Sequence, residues 1–116
     1  MLKHVKQKKV RVFLKGQAKK KYLELKNRKD KNSKTIIKSV ERSIELLKLN
    51  PQHGQPISKK LIPDELKSIG IQNLYRIELS NYWRLLYTME GSKIEIYIFV
   101  LKIQNHNDYN KLLKYK

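Results

Sequence analysis

The residues best suited to chemistry lie in the last third of the chain, around Arg84. Arg84 stands in a strand-like stretch in which Trp83, Leu85 and Tyr87 alternate to the other side. We therefore expect those three side chains to enter a core and Arg84 to face an open surface. A guanidinium can bind two phosphate oxygens at once, so Arg84 is the predicted phosphate-binding cation. A surface salt bridge is the alternative role for the same side chain.

Two further charged residues share one face of the preceding strand-like stretch. Arg76 and Glu78 alternate with Tyr75 and Ile77. Arg76 is predicted to contact phosphate. Glu78 could be a general base, or it could be the ion-pair partner of Arg84.

Other candidate side chains follow the last strand or precede the sheet. His106 is a proton-transfer candidate near neutral pH, although a lone histidine is usually an ordinary surface or cap residue. Tyr109 could contribute a hydroxyl group or stack on a base, or it could anchor the last helix in the core. Lys59 and Lys60 could contact an RNA backbone or form a solvated charge pair. The chain has no cysteine and its three histidines are scattered, so we expect no metal and no cofactor.

The elements that must position these residues follow from hydrophobic periodicity. A loop is expected in the middle of the chain, at residues 51–72. We expect a helical hairpin before this loop and three strands, with a hydrophobic period of two, after it. In chain order we predict a strand at 10–14, a helix at 16–29, a helix after an Asn32 or Ser33 N-cap ending near Asn50, a loop at 51–72, strands at 75–79, 82–88 and 94–102, and a short helix at 107–115.

This order predicts a single α+β domain spanning residues 1–116. An N-terminal strand and a helical hairpin pack on an antiparallel β-sheet, and a short C-terminal helix caps the fold. The hairpin covers one sheet face. The other face is expected to be concave, polar and functional.

Charge is the strongest compositional signal. The formal net charge is +17, and residues 1–34 hold fourteen basic and two acidic residues. Such a field favours a polyanionic partner, and we expect the first helix and the exposed sheet face to form one positive surface. The longest apolar run, Ile96–Leu101, is too short to span a bilayer, so we expect no membrane association and a soluble, cytoplasmic protein.

Three segments of the chain carry a family resemblance. They are Gly70–Leu79, Tyr82–Tyr87 with its Arg-Leu-aliphatic-Tyr run, and Val100–Tyr109 with its hydrophobic strand followed by His, two residues and Tyr. With the element order, these segments resemble the RelE/ParE superfamily of type II toxin–antitoxin toxins, in its RelE-like branch. The resemblance implies a ribosome-dependent mRNA endoribonuclease that inhibits translation. It also implies an acidic antitoxin and ribosomal RNA contacts through the basic surface.

The resemblance also assigns roles to single residues. Arg84 matches the arginine of the family's Arg-Leu-aliphatic-Tyr strand. His106 and Tyr109 stand where the family places its acid–base residues, which favours His106 as the general acid of a metal-independent 2′-OH attack giving a 2′,3′-cyclic phosphate. Some members carry two lysines spaced as Arg76 and Glu78 are, so Glu78 departs from that pattern.

Two other functions remain compatible with this sequence. The ParE branch shares the fold and inhibits DNA gyrase, and a basic nucleic-acid-binding module could retain the fold without catalysis. Arg84, His106 and Tyr109 favour the endoribonuclease over the gyrase inhibitor. The departure at Glu78 leaves the non-catalytic module as an alternative.

Overall fold

The predicted order of helices and strands is found in a computed structural model that describes residues 8–114. Its elements are β1 (Lys9–Leu14), α1 (Gly16–Asn27), α2 (Lys31–Leu49), β2 (Gln55–Pro56), a 3₁₀ turn (Lys59–Leu61), α3 (Asp64–Lys67), β3 (Tyr75–Glu78), a second 3₁₀ turn (Ser80–Tyr82), β4 (Arg84–Gly91), β5 (Glu95–Gln104) and α4 (His106–Leu113). The α+β class is confirmed. The predicted last helix extended to Tyr115, which lies outside the described residues.

The five strands form one sheet in the order β1-β5-β4-β3-β2. Strands β3, β4 and β5 are antiparallel neighbours, as predicted. The short strand β2 was not predicted, because it lies within the predicted loop at 51–72, where it pairs antiparallel with β3. Strand β1 lies parallel to β5 and makes the whole sheet mixed. Its register pairs Val10 with Ile96 and Val12 with Ile98, so the apolar sides of both strands face the same core.

The helical hairpin covers one face of the sheet. Ala18 and Leu25 of α1 are buried there beside the apolar stripe of α2. Helix α2 begins at Lys31, earlier than a cap at Asn32 or Ser33 would place it. Asp30 is the N-cap because its Oδ2 accepts a hydrogen bond from the Ser33 backbone N–H at 2.9 Å.

The opposite face, called the outer face below, is less open than the sequence predicts. A second apolar cluster lies on it, where α4 and the segment after β2 pack against β4 and β5. Its buried members are Ile62, Leu66, Leu74, Leu86, Tyr109 and Leu113. This apolar cluster covers part of the face that was predicted to be open and polar, and two polar residues of that face, Arg84 and Gln104, are themselves buried.

None of the helices among residues 8–114 is long and apolar enough to cross a membrane.

Candidate active site on the outer face

Strand pairing places three polar residues side by side at the start of β4. Glu78 of β3 pairs with Arg84 of β4, and Arg84 pairs with Gln104 of β5. The next row along the strands contains Arg76, Leu86 and Lys102. Residues opposite one another in a sheet share a face, so Arg76, Glu78 and Arg84 meet as predicted.

Arg84 is held firmly in this row. Leu85 and Tyr87 are fully buried on the helix side and Trp83 packs against them, which confirms the predicted alternation. Arg84 itself is only 9% exposed. Its Nη1 donates a hydrogen bond to the Tyr82 carbonyl at 2.7 Å and a longer one to the Trp83 carbonyl at 3.4 Å. The guanidinium is therefore oriented before any ligand arrives.

Glu78 lies between two guanidinium groups. Its Oε1 is 3.4 Å from Arg84 Nε, and its Oε2 is 3.9 Å from Arg76 Nε. The Glu78 side chain is 58% exposed, so it can move away without a large packing cost. This geometry is that of an ion pair with Arg84, which is one of the two roles predicted for Glu78.

Tyr109 connects α4 to both arginines. Its hydroxyl accepts a hydrogen bond from Arg76 Nη1 at 3.0 Å. Its ring centroid lies 5.3 Å from the Arg84 guanidinium carbon and 5.8 Å from that of Arg76. Tyr109 is 1% exposed and belongs to the apolar cluster of the outer face, so it anchors α4 and its ring cannot stack on a base. Its ring and hydroxyl contact the two arginines instead.

His106 is the first residue of α4 and is exposed, one helical turn before Tyr109. Its Nε2 lies 3.0 Å from Asn110 Nδ2, and the Asn105 side chain caps the helix by accepting from the Asp108 N–H. The His106 ring lies edge-on to Tyr82, with 6.5 Å between centroids. Because the Tyr82 carbonyl also binds Arg84, His106 and Arg84 flank the same residue.

Tyr82 is a site residue that the sequence analysis missed, since the pattern placed it inside a strand. It lies instead in a turn, where Asn81 and Tyr82 both have positive φ, at 59° and 64°. Such a conformation is costly for a side chain as large as tyrosine. The turn is tied to α2, because the Ser80 N–H donates to Ser39 Oγ at 3.2 Å and Asn81 bonds Asn32. Tyr82 is 76% exposed beside His106.

Gln104 was also missed, because the predicted strand ended at Lys102. The observed strand ends two residues later, at Gln104, and places Gln104 directly beside Arg84. Gln104 is buried, and within residues 8–114 its Oε1 has no hydrogen-bond partner. An amide oxygen of this kind is suited to accept a hydrogen bond from a ligand hydroxyl or amine.

The loop at residues 51–54, before β2, is held by the Tyr87 side chain and positions Gln55 beside Arg76. The Tyr87 hydroxyl donates to the Pro51 carbonyl at 2.8 Å and accepts from the Gly54 N–H at 2.9 Å, and burial raises the pKa of this phenol. A Cβ at Gly54 would lie 2.8 Å from the Tyr87 ring, so this position requires glycine. The anchored loop presents Gln55, which accepts a hydrogen bond from Arg76 Nη2.

Lys59 and Lys60 do not lie beside Arg76, Glu78 and Arg84. They lie exposed in the first 3₁₀ turn. Lys60 lines a cavity of about 250 Å³ together with Leu112 and Leu113, at the end of α4 opposite His106. A helix of the length of α4 extends about 10 Å, so these lysines could meet only a more distant part of a long ligand.

The arrangement can bind a phosphate and transfer protons. Two guanidiniums, a carboxylate, a phenol and an imidazole surround one end of β4. Among residues 8–114 there is no group of three His, Asp or Glu side chains that could hold a metal ion.

Comparisons of the chain with protein-family models, with curated proteins and with solved structures find no match.

Proposed function

We propose that this chain is a RelE-like toxin of the RelE/ParE superfamily that cleaves mRNA on the ribosome. The observation that carries the proposal is the grouping of Arg84 and Arg76 on the Tyr109 ring, with His106 at the start of the same helix. Cations that bind a phosphate next to a proton donor are what metal-free phosphodiester cleavage requires.

The proposed reaction needs no co-reactant. The ribose 2′-oxygen attacks the adjacent phosphorus while a base removes its proton. The bond from phosphorus to the 5′-oxygen breaks, and His106 protonates the leaving oxygen. The products are a 2′,3′-cyclic phosphate and a 5′-hydroxyl. Arg84 stabilises the charge of the phosphorane, with Arg76 and the Tyr109 hydroxyl beside it.

The role of Glu78 has a direct test. If Glu78 is the base that removes the 2′-OH proton, Glu78→Gln should lower the single-turnover rate by roughly 10²-fold or more. If Glu78 only balances the charges of Arg76 and Arg84, the same variant should bind substrate as well or better and should cleave at nearly the wild-type rate.

The partners follow from the same proposal. The basic surface contacts ribosomal RNA, and an acidic antitoxin neutralises the toxin by covering the site in the cytoplasm. Complementary charge gives fast, salt-sensitive association of the two proteins. If coexpressed antitoxin abolished toxicity while the exposed site residues Glu78 and His106 stayed accessible to solvent, the covering model would be wrong.

The deciding experiment is single-turnover cleavage of mRNA on programmed ribosomes, with the product ends mapped. We expect cleavage of the ribosome-bound mRNA that leaves cyclic phosphate ends without added metal. Absence of cleavage by the wild-type protein, with and without ribosomes, would overturn the proposal.

A non-catalytic binding module is the second candidate. It is favoured by the position of Glu78, because a carboxylate between Arg76 and Arg84 competes with phosphate for both cations. It predicts RNA binding without cyclic phosphate products. Inhibition of gyrase supercoiling by the purified chain would instead support the ParE-like alternative.

A further inference from the structure

A second surface on the outer face lies away from Arg84, at the β1 edge of the sheet. The strand β1 alternates so that Val10, Val12 and Leu14 pack against the helix-side core. Its other residues, including Arg11 and Phe13, therefore face outward. The register places Arg11 beside Tyr97 and Phe13 beside Phe99 on β5.

The outward residues include three aromatic rings that form two stacked pairs, with Phe99 common to both. The Phe13 and Phe99 centroids are 5.6 Å apart, and those of Tyr97 and Phe99 are 6.5 Å apart, both with 23° between ring planes. Phe13 ends this row, because β1 is the edge strand of the sheet. It remains 42% exposed, so part of its ring is accessible from outside the protein.

Charge is arranged unevenly around these rings. The Lys15 ammonium lies 5.5 Å from the Phe99 centroid at one end. At the other end, Glu95 accepts hydrogen bonds from the Tyr97 hydroxyl and from Arg11 Nε at 2.6 and 2.7 Å. Glu90, opposite Tyr97 on β4, adds a second carboxylate there. The Lys15 end is therefore the one that can take a phosphate.

We infer that Phe13, Phe99 and Lys15 form a stacking site for a base of single-stranded RNA. A base continues the aromatic row by stacking on Phe13, and its phosphate meets Lys15. RNA-binding sheets use aromatic side chains on neighbouring strands in this way, and stacking accepts any base because every base has a π-face. The inference goes beyond the proposed function, since it does not depend on cleavage at Arg84.

A protein segment is the competing occupant, because the free edge of β1 could pair with an added strand. The aromatic row beside a lysine favours the nucleic acid. A paired strand would use backbone groups and would gain little from the ring of Phe13.

The test measures equilibrium binding of an oligoadenylate of about 12 nucleotides, a length within the range such sites cover. The Arg84→Ala chain serves as the parent throughout, so that cleavage cannot consume the probe. Adding Phe13→Ala should weaken binding on the order of 5- to 100-fold, as the loss of one stacked base does elsewhere. Phe13→Tyr keeps the ring and should preserve affinity. Leu23→Ala removes an exposed apolar side chain from α1 and is the matched control.

A second probe of the same length, with abasic sugars on the same backbone, separates stacking from charge. We expect it to bind weakly and to be indifferent to Phe13→Ala. Equal binding of the abasic and adenine probes, or an unchanged oligoadenylate affinity in a folded Phe13→Ala chain, would overturn the inference. The second result would be expected if a protein segment covered this surface. Neither result would affect the cleavage assay, so the two proposals fail separately.

Discussion

At the scale of single residues, Arg84 is unusual in being charged, nearly buried and oriented by the backbone. The carbonyl of Tyr82 and the ring of Tyr109 hold its guanidinium, while Glu78 supplies the opposing charge. A cation that is fixed in advance loses little entropy when it meets a phosphate. This is the physical basis for expecting a large effect from Arg84 and a smaller one from mobile surface lysines.

Replacing Arg84 tests this expectation. Arg84→Ala should lower the single-turnover cleavage rate on the order of 10²–10³-fold. Arg84→Lys should restore only part of the rate, because an ammonium cannot bind two oxygens in one plane. Arg42→Ala removes an exposed arginine from α2 and should cleave normally. Wild-type rates for Arg84→Ala would remove this residue from the mechanism.

His106 gives the second prediction at this scale. If it protonates the leaving oxygen, His106→Gln should slow cleavage roughly 10²–10⁴-fold, and the wild-type rate should decline as pH rises. The residue is exposed, so thermal unfolding should be nearly unchanged. His53→Gln, in an exposed loop position, is the matched control. A variant at position 106 with the wild-type rate and pH profile would exclude the general-acid role.

At the scale of elements, the helical hairpin is held by more than its apolar stripe. Glu41 of α2 accepts hydrogen bonds from the Tyr22 hydroxyl and the Lys26 ammonium of α1, both at 2.8 Å. The hydrogen bond from Lys26 has the larger effect and that from Tyr22 the smaller, and together they lower the pKa of the Glu41 carboxyl below its ordinary value of 4.5. The charged form is therefore favoured by folding.

This pKa shift predicts how stability depends on pH. The pKa of Glu41 is lower in the folded state than in the unfolded state. Glu41 therefore adds to the free energy of unfolding at pH values above its ordinary pKa, and this contribution is lost as the pH falls through the lowered pKa. Glu41→Gln should therefore lower the free energy of unfolding by about 0.2–1 kcal/mol at neutral pH, which is the range for exposed ion pairs. In strong acid the same substitution should leave the free energy of unfolding unchanged. Denaturant unfolding at several pH values measures the difference. Glu45→Gln is the matched control, because it removes an ion pair with Lys48 within α2 and leaves the contact between the two helices intact. A pH-independent difference for Glu41→Gln would contradict the assignment.

At the scale of the whole molecule, the positive charge is divided between two sides of the sheet. The α1 lysines, such as Lys19 and Lys20, lie on the helix side, whereas Arg84 lies on the outer face. The prediction of one continuous positive surface is therefore wrong for the first helix. The reason is that α1 must bury Ala18 and Leu25 against the sheet and consequently carries its cations away from the outer face.

Division of the charge predicts separable effects on ribosome binding and cleavage. Replacing both Lys19 and Lys20 with Gln should weaken ribosome affinity and reduce its log–log salt slope by about 0.7–0.9 for each phosphate that the variant no longer neutralises. Cleavage by ribosome-bound toxin should be unaffected, because neither lysine is near Arg84. The double Lys→Arg variant keeps the charge and should keep the slope. Binding that does not change with salt in the wild-type protein would contradict a polyanionic partner.

Much of the site could be predicted from alternation alone. The period of two placed Trp83, Leu85 and Tyr87 in the core and left Arg84 on the other side. The same rule put Arg76 and Glu78 together. The predictions failed where a strand began or ended. The alternation predicts Tyr82 within a strand although it lies in a turn, and it ends the last strand at Lys102 although that strand continues to Gln104.

The α+β order, the helical hairpin and the faces of the strands follow from the amino-acid sequence, because hydrophobic periodicity is a local property of the chain. Three other features follow from tertiary contacts: Tyr109 packs under Arg84 and Arg76, β1 runs parallel to β5, and an apolar cluster covers part of the outer face. These outcomes depend on which strands pair and on where α4 finds apolar surface to bury. They arise between residues far apart in the chain, where no local pattern can fix the partner.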